Sequence, residues 1–197
     1  MTARLVVLIS GNGSNLQALL DACASADLDA QVAAIFSNQA AAFGLERARR
    51  AGLPAVVVAK RAEQSRRDYD AGLAEQVAAY APDWVVLAGW MRLLTSAFLD
   101  RFPNRVVNLH PALPGSFPGT HAIERAFDAF KRGEITQTGV MVHLVPDENV
   151  DAGPVLAQAV VEIGADDDLA ALEARIHDVE HYLLVATLRQ LVSVEKI

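Results

Sequence analysis

Short apolar runs alternate with longer segments of helical spacing through the first half of the chain. The runs are rich in β-branched residues, and several are apolar at consecutive positions, as in strands buried on both faces of a parallel sheet. The longest helical segment carries Tyr69, Leu73 and Val77 on one side, begins near Ser65 and stops before Pro82. We predict strands at 4–9, 30–36, 55–58, 84–87 and 105–109, and helices at 14–26, 41–51 and 65–80.

The second half of the chain is less regular. A cluster of Pro and Gly at 111–119 precedes a predicted helix through Arg132, strands at 138–145 and 155–163, and a final helix at about 167–191. This alternation predicts a doubly wound α/β fold, with helices on both faces of a mostly parallel sheet and mixed strands in the last third. No segment resembles a linker, so we expect one domain over residues 1–197.

Composition narrows the classes of partner. The 197 residues include 17 Lys and Arg against 24 Asp and Glu, a formal charge of -7, which argues against nucleic acid or an anionic membrane as partner. The longest apolar stretch is far shorter than the roughly 20 residues that span a bilayer. The N-terminus lacks the features of a secretion signal, and the single Cys23 excludes an internal disulfide and a thiolate metal cage. We expect a cytoplasmic protein without a metal.

The loop after the first predicted strand, SGNGSN, is suited to a phosphate. Ligands of open α/β sheets bind beyond the carboxyl ends of strands. Gly11 and Gly13 permit a tight turn and close backbone approach, while Ser14 and Asn15 stand where the next helix opens with unpaired N–H groups. The loop lacks the third Gly of the dinucleotide fingerprint and the Lys of a P-loop. A plain glycine turn is the alternative.

The segment AGWMRLL follows the fourth predicted strand. Trp90, Met91, Leu93 and Leu94 could line a pocket for a flat heterocycle, although such a stripe is more often part of a core. Arg92 could equally be a solvated charge.

The segment NLHPALPGSFPGTH carries the strongest chemical signal. Asn108 and His110 point to the same side of an extended backbone, and an amide donor beside an imidazole can polarise a carbonyl and move a proton. Asp147, Glu148 and Asp151, in PDENVDAGP, offer a carboxylate that would orient His110 and favour its charged form. The sequence does not choose among the three, and an exposed turn is the alternative.

The segment HDVEH at 177–181 matches a zinc arrangement in which two helical histidines lie beside a Glu. No third ligand is evident, so we interpret the match as accidental and expect His181 to be exposed on its helix. Glu180 lies at the edge of the helix's apolar stripe, where it could face a cleft.

Four segments, VVLISGNGSNLQALL, VLAGWMRLL, NLHPAL and DAGPVLAQ, resemble the phosphoribosylglycinamide formyltransferases, a branch of the formyltransferase family. The resemblance covers essentially the whole chain, in order. NLHP is shared with methionyl-tRNA formyltransferase and formyltetrahydrofolate hydrolase, whereas GNGSN marks the first branch. The resemblance implies the formyltransferase fold and transfer of a formyl group from 10-formyltetrahydrofolate to the amine of glycinamide ribonucleotide in purine biosynthesis, without a metal.

The resemblance also implies residue roles. The matching residues form a catalytic trio, a loop for the ribonucleotide phosphate with an acid that positions the glycinamide, and a folate site that includes the trio's amide. The trio is Asn108, His110 and Asp151. The phosphate loop and its acid are Gly13, Ser14, Asn15 and Glu180. The folate site is formed by Arg66, Met91, Arg92, Leu93, Leu94 and Asn108.

Two features depart from the family pattern. A proline stands one position early, at Pro114, which leaves the path of the following loop open, and His177 replaces a different polar residue. Formyl transfer to water, as in the hydrolase, and a non-catalytic nucleotide-binding module are the rival functions. The expected partners are the two small molecules, and a homodimer is left open.

Overall fold

The structure, a computed structural model, describes residues 2–194. Its strands and helices alternate along most of the chain, as the hydrophobic pattern predicts. The strands are β1 (Ala3–Ile9), β2 (Ala30–Ser37), β3 (Ala55–Val57), β4 (Trp84–Leu87), β5 (Val106–His110), β6 (Gln137–Leu144) and β7 (Val155–Glu162). The helices are α1 (Ser14–Ala24), α2 (Phe43–Arg50), α3 (Arg66–Ala78), α4 (Ser96–Leu99), α5 (Ala122–Lys131) and α6 (Leu169–Val194).

All seven strands form one sheet, in the order β3-β2-β1-β4-β5-β6-β7. The strands from β3 to β5 are parallel, and β6 and β7 are antiparallel to their neighbours. Along the chain, β2 and β3 are therefore added on one side of β1, and β4 is then added on the other side. This reversal opens a crevice at the carboxyl ends of β1 and β4, where ligands of such sheets bind. The predicted fold class is confirmed.

Strand β1 lies at the centre of two hydrophobic layers. Successive side chains of a strand point to opposite faces, and here Leu5, Val7 and Ile9 pack in the layer formed with α1, α5 and α6. Val6 and Leu8 pack in the other layer, with α3 and α4. All five side chains are fully buried. The uninterrupted apolar run of β1 is thus explained by helices on both faces.

Several predicted boundaries shift, each for a local reason. Helix α1 stops before Ala26, which takes a left-handed backbone conformation with φ 59°. Helix α6 begins after Asp168, whose carboxylate accepts the N–H of Ala171 at 2.8 Å as an N-cap does. The short helix α4 was not predicted, and β5 ends at His110, one residue beyond the predicted 109. Within residues 2–194, no helix is long and apolar enough to cross a membrane.

Gly139, in β6, lets the loop after β5 lie directly on the sheet. A Cβ at this position would stand 2.8 Å from Leu113 Cγ and would also collide with the carbonyl oxygen of Ala159 on β7. Leu113 therefore occupies the space that a side chain at Gly139 would fill. The contact anchors the loop at 111–119 close to the end of β5.

We expect Gly139→Ala to lower the free energy of unfolding by about 1–3 kcal/mol, because the added methyl group overpacks a site bounded by backbone and Leu113. Gly72→Ala is the matched control: a Cβ there meets nothing within 4 Å, so this helical replacement should stabilise the protein by about 0.5–1 kcal/mol. Urea unfolding measures both. A Gly139→Ala protein as stable as the parent would refute the assigned contact.

Candidate active site

A cavity of about 350 Å³ opens at the carboxyl ends of β4 and β5. Its wall combines the segment after β4, the end of β5, and the loop between β6 and β7. Seven of the residues to which the resemblance assigns a catalytic or folate-binding role line it. They are Met91, Arg92, Leu93, Leu94, Asn108, His110 and Asp151.

The segment after β4 presents an apolar surface to this cavity. Met91 is 64% exposed and Leu93 46% exposed, whereas Leu94 is buried in the layer beneath. Arg92 is not a freely solvated charge, because its guanidinium carbon lies 4.8 Å from the centre of the Tyr69 ring and its Nε is buried without a partner. The exposed side chains of Met91 and Leu93 are available to a flat apolar ligand.

Arg66 lies at the rim of the cavity rather than in its wall. The residue opens α3, and its Nη2 stands 3.3 Å from Oε2 of Glu148. The other oxygen of Glu148 accepts the N–H of Ser96 at 2.9 Å. Glu148 belongs to the wall, so it links the loop between β6 and β7 to both α3 and α4.

Asp151 is the acid that meets His110. Its Oδ2 lies 3.4 Å from His110 Nδ1, and its Oδ1 accepts a hydrogen bond of 3.1 Å from Asn108 Nδ2. Asp151 has φ 49°, in the left-handed region that aspartate tolerates better than most residues. Asp147 instead accepts the N–H of Asn149. Of the three acids that the sequence alone left open, Asp151 is the one that contacts His110.

The loop at 111–119 reaches the same site in spite of the early proline. Pro114 is exposed, and the loop beyond it turns back toward β5. The carbonyl oxygen of Phe117 lies 3.1 Å from His110 Nε2, and the N–H of Gly119 donates to Asp151 Oδ2 at 2.7 Å. With the proline at position 114, the loop thus makes backbone contacts with both His110 and Asp151.

Burial and charge act in opposite directions on His110. Burial lowers the pKa of His110 below its ordinary value, and the charge of Asp151 raises it without reversing the shift. The expectation that Asp151 favours the charged ring is thus right in direction, but the ring is easier to deprotonate than an exposed histidine. Both ring nitrogens nevertheless face acceptor oxygens, an arrangement that only a protonated ring satisfies fully.

Asp151 itself remains ionised. Burial alone would raise the pKa of Asp151, but hydrogen bonds from His143 and the Gly119 N–H, together with the charges of His110 and His143, lower it below the ordinary value. The carboxylate therefore keeps its charge where it can act on His110.

His143 is a member of the site that sequence reasoning missed. Its buried Nδ1 lies 2.8 Å from the Leu144 carbonyl oxygen, and because a carbonyl only accepts, Nδ1 carries a hydrogen. Nε2 lies 3.1 Å from Asn108 Nδ2 and 3.5 Å from Asp151 Oδ1. A protonated ring donates from Nε2 to the carboxylate, whereas a neutral ring accepts there from the amide. Asn108, His143 and Asp151 thus form one hydrogen-bonded cluster beside His110.

The residues predicted for the acceptor substrate meet at the start of α1. Gly13 is the N-cap of this helix, with φ 76° and no capping side chain. Asn15 Nδ2 donates to Glu180 Oε2 at 3.3 Å, and the same oxygen lies 2.7 Å from His177 Nδ1. Glu180 is buried, with an exposed fraction of 5%. It contacts α1 through Asn15, and its hydrogen bond raises the pKa of His177 above the ordinary value.

Ser10 connects this acceptor side to the cavity. Its N–H donates to the Gly89 carbonyl oxygen at 3.0 Å, and its Oγ accepts the N–H of Met91 at 2.8 Å. The loops after β1 and β4 are therefore hydrogen-bonded to each other across the point where the strand order reverses.

Comparison with known proteins identifies the family. The profile described as Formyl transferase matches residues 3–188. The chain belongs to the formyl transferase family. A protein of Schizosaccharomyces pombe named phosphoribosylglycinamide formyltransferase is 44% identical over the whole of both chains. One of the same name from Escherichia coli is 46% identical, over 90% of this chain and 81% of that protein.

A solved structure agrees with the fold of this formyl transferase. Glycinamide ribonucleotide transformylase 1 from Geobacillus kaustophilus superposes with a TM-score of 0.90 and is 40% identical. The match covers 97% of this chain and 99% of the solved one. The seven-stranded mixed sheet is thus shared over its full extent.

The histidine pair on α6 of this formyl transferase does not form a zinc arrangement. His177 is hydrogen-bonded to Glu180, and His181 is not exposed as expected, since its Nε2 is buried without a partner. Within residues 2–194, no three His, Cys, Asp or Glu side chains are grouped in a way that could hold a metal ion.

The opposed effects on His110 lead to a measurable prediction. Asp151→Asn removes the main influence that raises the pKa of His110, so that pKa, already below the ordinary value, should fall further. NMR titration of the histidine ring signals, with His110→Gln for assignment, measures it. Asp147→Asn, on the same loop, should leave the titration unchanged. A rise of the His110 pKa in Asp151→Asn would contradict the assigned contact.

Proposed function

We propose that this formyl transferase moves the formyl group of 10-formyltetrahydrofolate to the amine of glycinamide ribonucleotide, a step of purine biosynthesis. The observation that carries the proposal is the convergence of Asn108, His110 and Asp151 at the end of a cavity with an apolar wall. Relatives that match the chain along its length and bear the name phosphoribosylglycinamide formyltransferase support the choice of acceptor.

The cavity suits the formyl donor. Met91 and Leu93 offer exposed apolar surface to the flat ring system of a folate. Arg66, at the rim, is placed to bind the carboxylates at the other end of that molecule, since guanidinium groups recognise carboxylates well. In this proposal Arg92 contributes through the backbone and shape of the segment, because its side chain packs on Tyr69.

The start of α1 suits the acceptor. Gly13, Ser14 and Asn15 would hold its phosphate through backbone N–H groups at the uncapped helix end. Glu180, fixed between Asn15 and His177, would position the glycinamide part. A single phosphate held in this way is compatible with the net charge of -7.

The chemistry follows from the positions of the trio. The acceptor amine attacks the formyl carbon, a C–N bond forms, and the carbonyl oxygen becomes an oxyanion that the Asn108 amide and protonated His110 stabilise. The bond from carbon to the folate nitrogen then breaks, and His110 supplies the proton that this nitrogen needs. The attacking nitrogen loses a proton, which restores His110. Asp151 orients the ring and favours its charged form.

Incubation with 10-formyltetrahydrofolate, with and without glycinamide ribonucleotide, separates this function from its rivals. We expect loss of the formyl-folate, followed by absorbance, only when both are present. Turnover with the folate alone would favour the hydrolase, and no turnover in either mixture would favour a binding module.

Removing one member of the trio should reduce turnover without unfolding the protein. We expect His110→Ala and Asp151→Asn to lower kcat by about 10² to 10³ or more, the effect of losing one group that acts on the transition state. His181→Ala and Asp128→Asn change the same residue types outside the proposed site, Asp128 being exposed on α5. Both should stay within about twofold of the parent. Activity close to the parent's in either trio variant would refute the assigned role.

The proposal extends to the setting of the enzyme. It comprises one catalytic domain in the cytoplasm, whose partners are the two small molecules and neither nucleic acid nor membrane. The number of subunits is left open between one and two.

A further inference from the structure

We infer that Arg47 is a positioning residue for the phosphate loop: it turns the amide groups of Asn12 and Gly13 toward the phosphate of the acceptor without touching that phosphate. This inference rests on the proposed function for its ligand. The contacts that carry it belong to α2, an element to which neither the sequence pattern nor the proposed mechanism assigns a role.

Helix α2 is pressed against the loop that precedes α1. The N–H of Gly44 donates to the Gly11 carbonyl oxygen at 3.1 Å. A Cβ on Gly13 would stand 2.8 Å from Gly44 Cα, and a Cβ on Gly44 would collide with Ile9. Two glycines are therefore required where the helix and the loop meet, and the loop has little freedom to move toward α2.

Arg47 adds three hydrogen bonds to this contact. Its Nε donates to the Asn12 carbonyl oxygen at 3.0 Å, and its Nη2 donates to Asn12 Oδ1 at 2.9 Å. Its Nη1 donates to Gln17 Oε1, on α1, at 3.2 Å. The guanidinium carbon also lies 5.0 Å from the centre of the Phe43 ring, one turn earlier on α2. One half-buried side chain thus joins α2, the loop and α1.

These bonds determine where the loop's N–H groups point. In a planar trans peptide the C=O and N–H bonds are antiparallel. The carbonyls of Gly11 and Asn12 both face α2, where Gly44 and Arg47 donate to them. The N–H groups of the same two peptides, on Asn12 and Gly13, therefore face away from α2. Within residues 2–194 neither has a protein acceptor.

The charge around the loop favours an anion at these N–H groups. The first turn of α1 contains no acidic residue of its own, so the positive end of its dipole is available to an anion. The carboxylate of Glu180 faces this turn, but it is hydrogen-bonded to Asn15 and His177. Arg47 adds a full positive charge behind the loop, in a chain whose net charge is -7. Successive backbone N–H groups that turn to one side form the concave sites that bind phosphate.

Arg49 offers a matched control on the same helix. It is exposed, carries the same charge, and its Nη1 lies 3.7 Å from Glu46, away from the loop. Arg49→Gln and Arg47→Gln therefore change the net charge of the protein equally, but only Arg47→Gln releases the Asn12 carbonyl.

The test compares glycinamide ribonucleotide with the corresponding riboside, which lacks the phosphate. We expect Arg47→Gln to lower kcat/KM for the ribonucleotide by about ten- to a hundredfold, as for loss of hydrogen bonds from a charged group. The KM for 10-formyltetrahydrofolate and kcat/KM for the riboside should stay within about twofold. Arg47→Lys, which keeps the charge, should restore part of the loss, and Arg49→Gln should resemble the parent.

Several outcomes would overturn the inference. An equal loss with ribonucleotide and riboside would assign Arg47 a general structural role, and an unchanged kcat/KM for the ribonucleotide would assign it none. The same loss of kcat/KM in Arg49→Gln would show that the effect comes from the overall charge of the protein. Thermal unfolding of each variant identifies any that is not folded.

A binding measurement separates this inference from the proposed function. Calorimetric titration with ribose 5-phosphate requires no turnover, so it applies even if the parent protein transfers no formyl group. Weaker binding by Arg47→Gln than by Arg49→Gln would support the role of Arg47. Equal binding by the two variants, or none by the parent, would overturn it.

Discussion

The buried carboxylate of Asp151 accepts hydrogen bonds from the Asn108 amide and the Gly119 N–H and contacts His110. These partners come from β5 and from the loop that follows it, while Asp151 itself stands between β6 and β7. A buried carboxylate is stable only when such partners replace the water it has lost. One charge therefore links the end of β5, the loop that follows it and the segment between β6 and β7.

That charge also links the fold to the chemistry. His110 ends β5 inside the sheet, and its burial favours the neutral ring, while Asp151 favours the charged one. The protonation of His110 is thus set by a balance between two consequences of folding. Neither would exist if His110 stood in an exposed loop.

The sequence predicts the parts of the site more readily than their contacts. The apolar runs and the helical spacing place Asn108 and His110 at the end of a strand, and the resemblance selects Asp151. His143 is different, because it joins the site through the antiparallel register that sets it opposite Asn108. Register between strands that distant in the chain has no local signal in one sequence.

Arg47 escaped prediction for a similar reason. On α2 it belongs to a run of basic residues that looks like a solvated helix face, and Arg49 and Arg50 do pair there with Glu46. Only the packing of α2 on the loop after β1 distinguishes Arg47 from its neighbours. Arg92 is the opposite case. It lies in a segment predicted to belong to the site, but its guanidinium group packs on the Tyr69 ring.

Phe117 takes a left-handed conformation, with φ 47°, that a large side chain rarely adopts. Its carbonyl oxygen faces His110 Nε2 and accepts a hydrogen bond from Arg125, on α5. The strained turn is thus compensated by contacts inside the protein, and its conformational entropy is lost during folding rather than at the arrival of a ligand. A formyl donor would therefore meet a wall that is already assembled, and its association would be governed by diffusion and desolvation rather than by the ordering of this loop.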